Sequence, residues 1–473
     1  MIFSSPLFLF IFLPLALAGG FIFRGIARNI FLLIASLIFY TWGEGQLVLL
    51  LISSIVLNYF SGLGLGFFRN RRSGALIILI VAIILNVSLL IYFKYFNFIL
   101  ENLWLSGLLH KKLETGFAFP IGISFFTFQG ISYLIDVYRR DADEQKNPLL
   151  LGLYISFFPQ LISGPINRYP DISGQLRKRK MDPGNLSEGI IRFIRGLAKK
   201  VIIANTVGII ADQVFKLKVI EMPTMVAWLG IVCYTLQIYF DFSGYSDMAI
   251  GLARMFGFEY RENFNYPYIA KSIQEFWQRW HISFSSWLRD YLFNPIAIGM
   301  RYARSIGLII AVLVTFFICG LWHGPAWHYI VWGLFHGLCL ILEKIRILRF
   351  NKWPVIFRRF YVLLVVIIGW VLFRSDTLYY AFEYLGHMFG TASGTNYFPL
   401  IYVNNYTVFV MILAILFSTP IRKKFTELFM KRTKSPVMNL WAFGRYPFYL
   451  TLFVLSVVEI AQSGFNPFIY FRF

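Results

Sequence analysis

Three of the six histidines in this chain fall within twenty residues, in the stretch ICGLWHGPAWHYIVWGLFHG from Ile318 to Gly337. A neutral imidazole near physiological pH is the natural general base for activating a hydroxyl. It is also a common metal ligand, so the spacing has to decide. On one continuous helix, steps of five and eight residues at ~100° per residue would turn His323, His328 and His336 onto three different faces. Gly324-Pro325 also interrupts any helix directly after His323. The spacing therefore argues against a three-histidine metal site, and no metal is expected. His323 follows an apolar run and precedes a backbone break, so its ring is placed to enter whatever cavity that break lines. His328 and His336 read as helix-packing groups.

Two further stretches concentrate polar residues. In FDFSGYSDMAIG, Asp241, Ser243, Tyr245, Ser246 and Asp247 close an apolar run. They read either as carboxylates capping a helix end or as the polar wall of a substrate passage. In SIQEFWQRWHISFSSWLRDY, residues 272–291, one helix would put Gln278, His281 and Ser285 on a shared face. It would also pair Glu275 with Arg279, and Ser286 with Asp290. Trp277, Trp280 and Trp287 there read as interfacial aromatics on a surface-lying amphipathic helix. That reading explains less well why His281 and Asp290 stand among them.

The elements that must hold these residues are membrane helices. Of 473 residues, 58% are hydrophobic and 14% charged, against about a quarter charged in soluble domains. Apolar stretches near the roughly 20 residues needed to cross a bilayer recur along the chain. Crossings are expected near 5–23, 29–43, 46–67, 74–96, 117–137, 196–216, 225–243, 305–321, 327–342, 360–374, 402–420 and 444–463. Residues 148–166 are apolar but basic residues flank the far end too, which points to a re-entrant or surface-lying segment rather than a crossing. Residues 254–304 are expected on the cytoplasmic side. The whole reads as an all-α polytopic membrane protein with eleven or twelve transmembrane helices plus re-entrant and interfacial pieces. It forms one domain over 1–473, with no internal repeat.

The net charge of +21 (44 Lys and Arg against 23 Asp and Glu) sits in loops. It follows the excess of basic residues in cytoplasmic loops rather than a nucleic-acid-binding face. Ala16-Leu17-Ala18 mimics a signal-peptidase site, but no basic residue precedes the apolar run, which fits an uncleaved first helix. Cys233, Cys319 and Cys339 lie in apolar stretches and read as small buried hydrophobes.

Taken in order, FFPQLISGPINRY, YFDFSGYSDMAIGLARMFGF, ENFNYPYIAKSIQEFWQRWHISFSSWLRDYLF and GLWHGPAWHYIVWGLFHG resemble the membrane-bound O-acyltransferase family. Within it the chain resembles the alginate O-acetyltransferase branch. FPIGISFFTFQGISYLIDVYR, GWVLFRSD around Arg374, and the closing NPFIYFRF extend the similarity to nearly the whole chain. The resemblance implies a ring of helices around a thinned centre, with a tunnel between cytoplasmic and outer funnels. It implies that His323 is the catalytic histidine and that His281 is the second characteristic polar residue. Trp322, Trp280, Gln278, Arg289, Asp290, Tyr245, Ser246 and Asp247 are the candidate substrate and tunnel residues.

The implied reaction draws an acetyl group from a cytoplasmic thioester, acetyl-CoA. It delivers that group to an extracytoplasmic polysaccharide such as alginate, with a separate exported acetyltransferase as partner, at a bacterial cytoplasmic membrane. Basic residues at Arg177–Lys180, Lys199 and Lys200 are candidates for attracting CoA phosphates, or simply mark the inner side. His281 or the Trp322 indole is a candidate donor to the developing oxyanion. D-alanyl transfer to teichoic acids from a carrier-protein thioester, and a proton-coupled transporter, are the alternatives.

Overall fold

The computed structural model describes residues 1–113, 115–116, 119–344, 352–390, 397–421, 435–463 and 468–469. Among them there is no strand. The helices are α1 (Leu13–Ile22), α2 (Gly25–Glu44), α3 (Val48–Phe67), α4 (Arg72–Leu90), α5 (Phe96–Leu105), α6 (Ile123–Arg139), α7 (Pro148–Ser156), α8 (Phe158–Leu161), α9 (Tyr169–Arg177) and α10 (Pro183–Ala198). They continue with α11 (Asn205–Phe215), α12 (Thr224–Met255), α13 (Ile273–Arg279), α14 (Ile282–Leu288), α15 (Asn294–Gly299), α16 (Arg304–His323), α17 (Trp327–Lys344), α18 (Val355–Arg374), α19 (Leu378–Met388), α20 (Asn405–Phe417) and α21 (Ser435–Ser463). The chain gathers into two compact units, 1–193 with 248–261, and 194–247 with 262–473.

Among the described residues six stretches are long and apolar enough to cross a membrane: Gly25–Phe67, Arg72–Leu105, Thr224–Met255, Arg301–His323, Val355–Arg374 and Gly444–Gln462. Phe8–Ile22 and Asn405–Phe417 are shorter apolar helices. The crossings expected at 29–43 and 46–67 share the first stretch, which breaks where Gly45 takes φ 56°. That expected at 117–137 folds as the shorter α6, and residues 117–118 of it lie outside the described residues. That expected at 196–216 lies in a continuous helix that runs from Pro183 to Phe215 through a π-helical turn at Lys199–Ala204. On α4, Ile77, Ile80, Val81, Ile84 and Leu85 are all exposed. In water such a surface would be costly; against lipid tails it is the expected one.

In the first unit, the side chains of Asn58 on α3 and Asn86 on α4 exchange two 3.2 Å hydrogen bonds while buried. Each amide thereby satisfies the other where no water can. The apolar run at 148–166 breaks into α7 and α8 around Phe157 and Pro159, and residues 150–167 are buried throughout. The break frees the amide of Phe158, which donates to Ser36 Oγ at 3.1 Å. Irregular backbone at membrane depth is tolerated only when it is satisfied inside protein in this way.

In the second unit, α16 and α17 form a tight hairpin. A Cβ placed on Gly320 would collide with Tyr329 O, and one on Gly333 with Phe316 O. Small residues let two membrane helices bring their backbones together, and this closeness fixes the position of the histidine at the hairpin's bend.

Candidate active site

His323 is the last residue of α16. The chain leaves the helix at Gly324, and Pro325 cannot continue it, so α17 restarts at Trp327. The backbone break expected after His323 is therefore present. The His323 ring is buried and meets Trp322 at 4.7 Å, Trp332 at 4.9 Å, Phe373 at 5.1 Å and Phe284 at 6.0 Å between ring centroids. Three helices, α14, α17 and α18, thus deliver aromatic walls to an imidazole carried by a fourth.

His281 does not sit on a continuous helix, and here the sequence expectation needs correcting. Helix α13 begins at Ile273 and is capped by Ser272, whose side chain accepts from Glu275 N at 3.0 Å, and Glu343 of α17 accepts from Ile273 N at 2.7 Å. It ends after seven residues at Arg279. Trp280 is extended and His281 is left-handed, with φ 43° and ψ 54°, before α14 begins at Ile282. Histidine enters this region more readily than most residues other than glycine. The turn abolishes the shared face proposed for Gln278, His281 and Ser285. Gln278 is exposed, whereas His281 is 1% exposed.

The three tryptophans are likewise not interfacial. Trp277, Trp280 and Trp287 are 8%, 2% and 7% exposed, and Trp280 packs on Phe276 and Trp370 at 5.7 and 5.0 Å. The segment folds as two short buried helices, because its aromatic side chains bury more area than its few charges cost.

The two histidines share neighbours. Phe284 stacks on His281 at 5.0 Å and on Trp322 at 4.2 Å, and its ring also meets His323 edge-on. Trp322 lies 6.2 Å from the His281 ring. His281 Nδ1 is 3.1 Å from Asn263 Oδ1, and Asn263 in turn donates from Nδ2 to Ser246 Oγ at 3.0 Å. His281 Nε2 is buried and makes no hydrogen bond among the described residues. Burial pushes the His281 imidazole down to about 3, since an uncompensated charge is disfavoured away from water. Sequence reasoning did not single out Asn263 or Phe284. Phe284 is one apolar residue among many, and Asn263 lies eighteen residues from His281 in a loop without periodicity.

The other candidates fall elsewhere. Arg289 and Asp290 pair with each other at 2.8 Å, with Arg289 well exposed. Glu275 and Arg279 pair as expected, at 2.9 Å. Asp241 and Asp247 cap no helix end, because α12 runs on to Met255. Lys200 pairs with Asp241 and Lys199 with Asp247, at 2.5 and 2.7 Å. Two of the lysines read as CoA-phosphate candidates are thus matched by carboxylates. Of the closing NPFIYFRF only Phe468 and Ile469 lie within the described residues. Ile469 N donates to Asp241 at 2.8 Å, and Tyr245 packs edge-on against Phe468 at 4.8 Å. So Ser246 reaches the histidine region through Asn263, whereas Asp241, Tyr245 and Asp247 serve ion pairs and the chain end. His336 is fully buried between Trp277 and Trp332, and His328 packs on Tyr329 at 4.0 Å. Among the described residues no three His, Cys, Asp or Glu side chains gather as a metal would need.

Comparison with known proteins places this arrangement. The family model of the membrane-bound O-acyltransferases matches residues 138–377, a range that includes Asn263, both histidines and their aromatic neighbours. The chain belongs to the membrane-bound O-acyltransferase family. It is 38% identical over 498 residues to the probable alginate O-acetylase AlgI of Pseudomonas putida, covering 100% of each chain. Against the protein of the same name from Pseudomonas syringae pv. tomato the identity is 43%, over 82% of this chain and 75% of that one. The peptidoglycan O-acetyltransferase of Helicobacter pylori is 35% identical over 82% of this chain and 80% of its own. This chain is therefore a multi-pass membrane acyltransferase. As a membrane-bound O-acyltransferase, it carries the histidines of its WHG and WHIS stretches in one aromatic cluster.

Proposed function

We propose that this membrane O-acyltransferase moves an acetyl group from acetyl-CoA on the cytoplasmic side to a hydroxyl of an extracytoplasmic polysaccharide such as alginate, at a bacterial cytoplasmic membrane and together with an exported acetyltransferase. The observation that carries the reading is the pair of buried imidazoles that share Phe284 and Trp322. The names of the relatives support acetyl as the group and a glycan as its destination.

In the reaction, an imidazole nitrogen of His323 takes the proton of the acceptor hydroxyl as its oxygen attacks the thioester carbonyl. The C–O bond forms, and the carbonyl electrons move onto oxygen. Collapse of the tetrahedral species breaks the C–S bond, and the imidazolium returns its proton to the departing thiolate. A dry aromatic pocket strengthens each electrostatic contact in this sequence. It also keeps water from competing with the acceptor.

The test uses the full chain in lipid nanodiscs with radiolabelled acetyl-CoA, with and without glycan and partner protein. Wild type should release label from CoA, and His323→Ala should fall by roughly 100- to 10,000-fold, the usual worth of general acid–base help. Equal turnover in the two would overturn the assignment of His323. Turnover only with a carrier-protein D-alanyl thioester would replace the donor.

A further inference from the structure

The geometry points to Asn263 as a positioning residue that locks His281 in the Nδ1–H tautomer, so that His281 presents a bare Nε2 lone pair and acts as a hydrogen-bond acceptor rather than an oxyanion donor. This rests on the acyl-transfer reading above for its chemistry, though not for its geometry.

The argument begins with an unambiguous donor. The backbone N–H of Ser283 lies 3.1 Å from one side-chain atom of Asn263, and the Ser283 hydroxyl lies 2.9 Å from the same atom. A backbone N–H can only donate, so that atom is the amide oxygen and not the nitrogen. The orientation of the Asn263 amide is thereby fixed by a partner that has no second role. The amide nitrogen then faces Ser246 Oγ, which accepts from it at 3.0 Å. The oxygen also faces His281 Nδ1 at 3.1 Å. Two acceptors in that contact would repel, so Nδ1 must carry the hydrogen. A neutral imidazole has one N–H, which leaves Nε2 with its lone pair. Asn263 and Ser283 are buried, as are Ser246 and His281, so this network lies inside the protein.

Among the described residues, the groups packed on the His281 ring carry no fixed charge to reverse this. Helix α12 contributes the Phe242 ring at 4.6 Å and the Ser246 hydroxyl beyond Asn263. Helix α14 contributes Ser283 and Phe284, and α16 contributes Trp322, followed by His323. His323 is the titratable group among these. The left-handed turn at His281 is what swings the ring away from α13 and towards Asn263. A neutral ring with its only hydrogen engaged cannot donate to a developing oxyanion. Its Nε2 can accept a hydrogen bond from the acceptor hydroxyl and so orient the oxygen whose proton His323 takes.

The experiment uses the full chain in nanodiscs with ¹⁵N-labelled histidine and assigns the His281 resonances by their loss in His281→Gln. Nδ1 should be protonated and Nε2 bare in wild type at pH 7; a proton on Nε2 overturns the proposal whether or not the protein turns over. Asn263→Asp keeps the accepting oxygen and adds a negative charge, which favours the imidazolium. It should raise the pH at which His281 Nε2 takes up a proton by about one unit or more, read in the same ¹⁵N spectra. Asn263→Leu should lose the tautomer preference and lower transfer at least tenfold, with Asn263→Asp as the conservative rescue. A His281 Nε2 titration that does not move in folded Asn263→Asp, or full transfer by His281→Gln, overturns the acceptor role. Correct tautomer with no transfer from any donor would instead count against the acyl-transfer reading alone.

Discussion

At the scale of single residues, burial does most to define what the histidines can do. The His281 imidazole, pushed down to about 3, stays neutral across the physiological range. In the unfolded chain the same ring titrates near 6.5. Between those values the unfolded state binds a proton that the folded state declines, so stability rises with pH across that window and falls as pH drops through it. The thermal midpoint in detergent should therefore decline from about pH 6.5 downward. His281→Gln should show a shallower decline; an equal slope in both proteins would place the proton uptake elsewhere. His336 makes a different case. Both of its ring nitrogens are fully buried and without a hydrogen-bond partner among the described residues. Replacing an unsatisfied polar group by an apolar one of like shape is often neutral or stabilising. His336→Phe should keep or raise the thermal midpoint, and a marked drop would reveal a partner for those nitrogens.

At the scale of elements, the sequence foretold the break after His323, because Gly-Pro has a local mechanism that needs no tertiary context. The same break puts His323 at the end of α16 and His328 and His336 on α17, although His323 and His336 both pack on Trp332. The sequence did not foretell the break at Trp280–His281. No glycine or proline marks that turn. The left-handed residue is imposed by burying Trp277, Trp280 and Trp287 on one side while Asn263 holds the imidazole on another. Charge patterning was legible where both partners sat on one helix, as in Glu275–Arg279, and illegible where pairing joins distant segments, as in Lys200–Asp241. The α16–α17 hairpin carries its own prediction. Gly333→Leu would drive a side chain into the backbone at Phe316 O, and overpacking of this kind costs about 1–3 kcal/mol or more. Its folded yield, read by size-exclusion chromatography, should fall well below that of Leu338→Ala, a change at an exposed position on the same helix.

At the scale of the whole molecule, an excess of basic charge coexists with buried ion pairs. The side chains of Lys200 and Asp241 are 3% and 2% exposed, and Asp241 also accepts from the amide of Ile469. Removing one partner of a buried pair strands the other charge and typically costs about 3–5 kcal/mol. Lys200→Met should lower the thermal midpoint substantially, and Lys200→Met with Asp241→Leu should recover part of the loss. A double variant worse than the single would show that the amide of Ile469, rather than the lysine, is the partner Asp241 cannot lose. The all-helical, membrane-spanning character was legible from composition alone, because lipid imposes it on any chain this apolar. The number of stretches long and apolar enough to cross, among the described residues, was not, since two expected crossings share Gly25–Phe67 and that at 117–137 starts only at Ile123, after the left-handed Gly122.

The close backbone contacts at Gly320 and Gly333 have a consequence for anyone ranking positions by mutational sensitivity. A saturation screen scored on acetylation would place these two glycines beside His323, although neither carries a side chain that could meet a substrate. Loss of signal there would report hairpin assembly, and only a parallel screen scored on membrane abundance would separate the glycines from the imidazole.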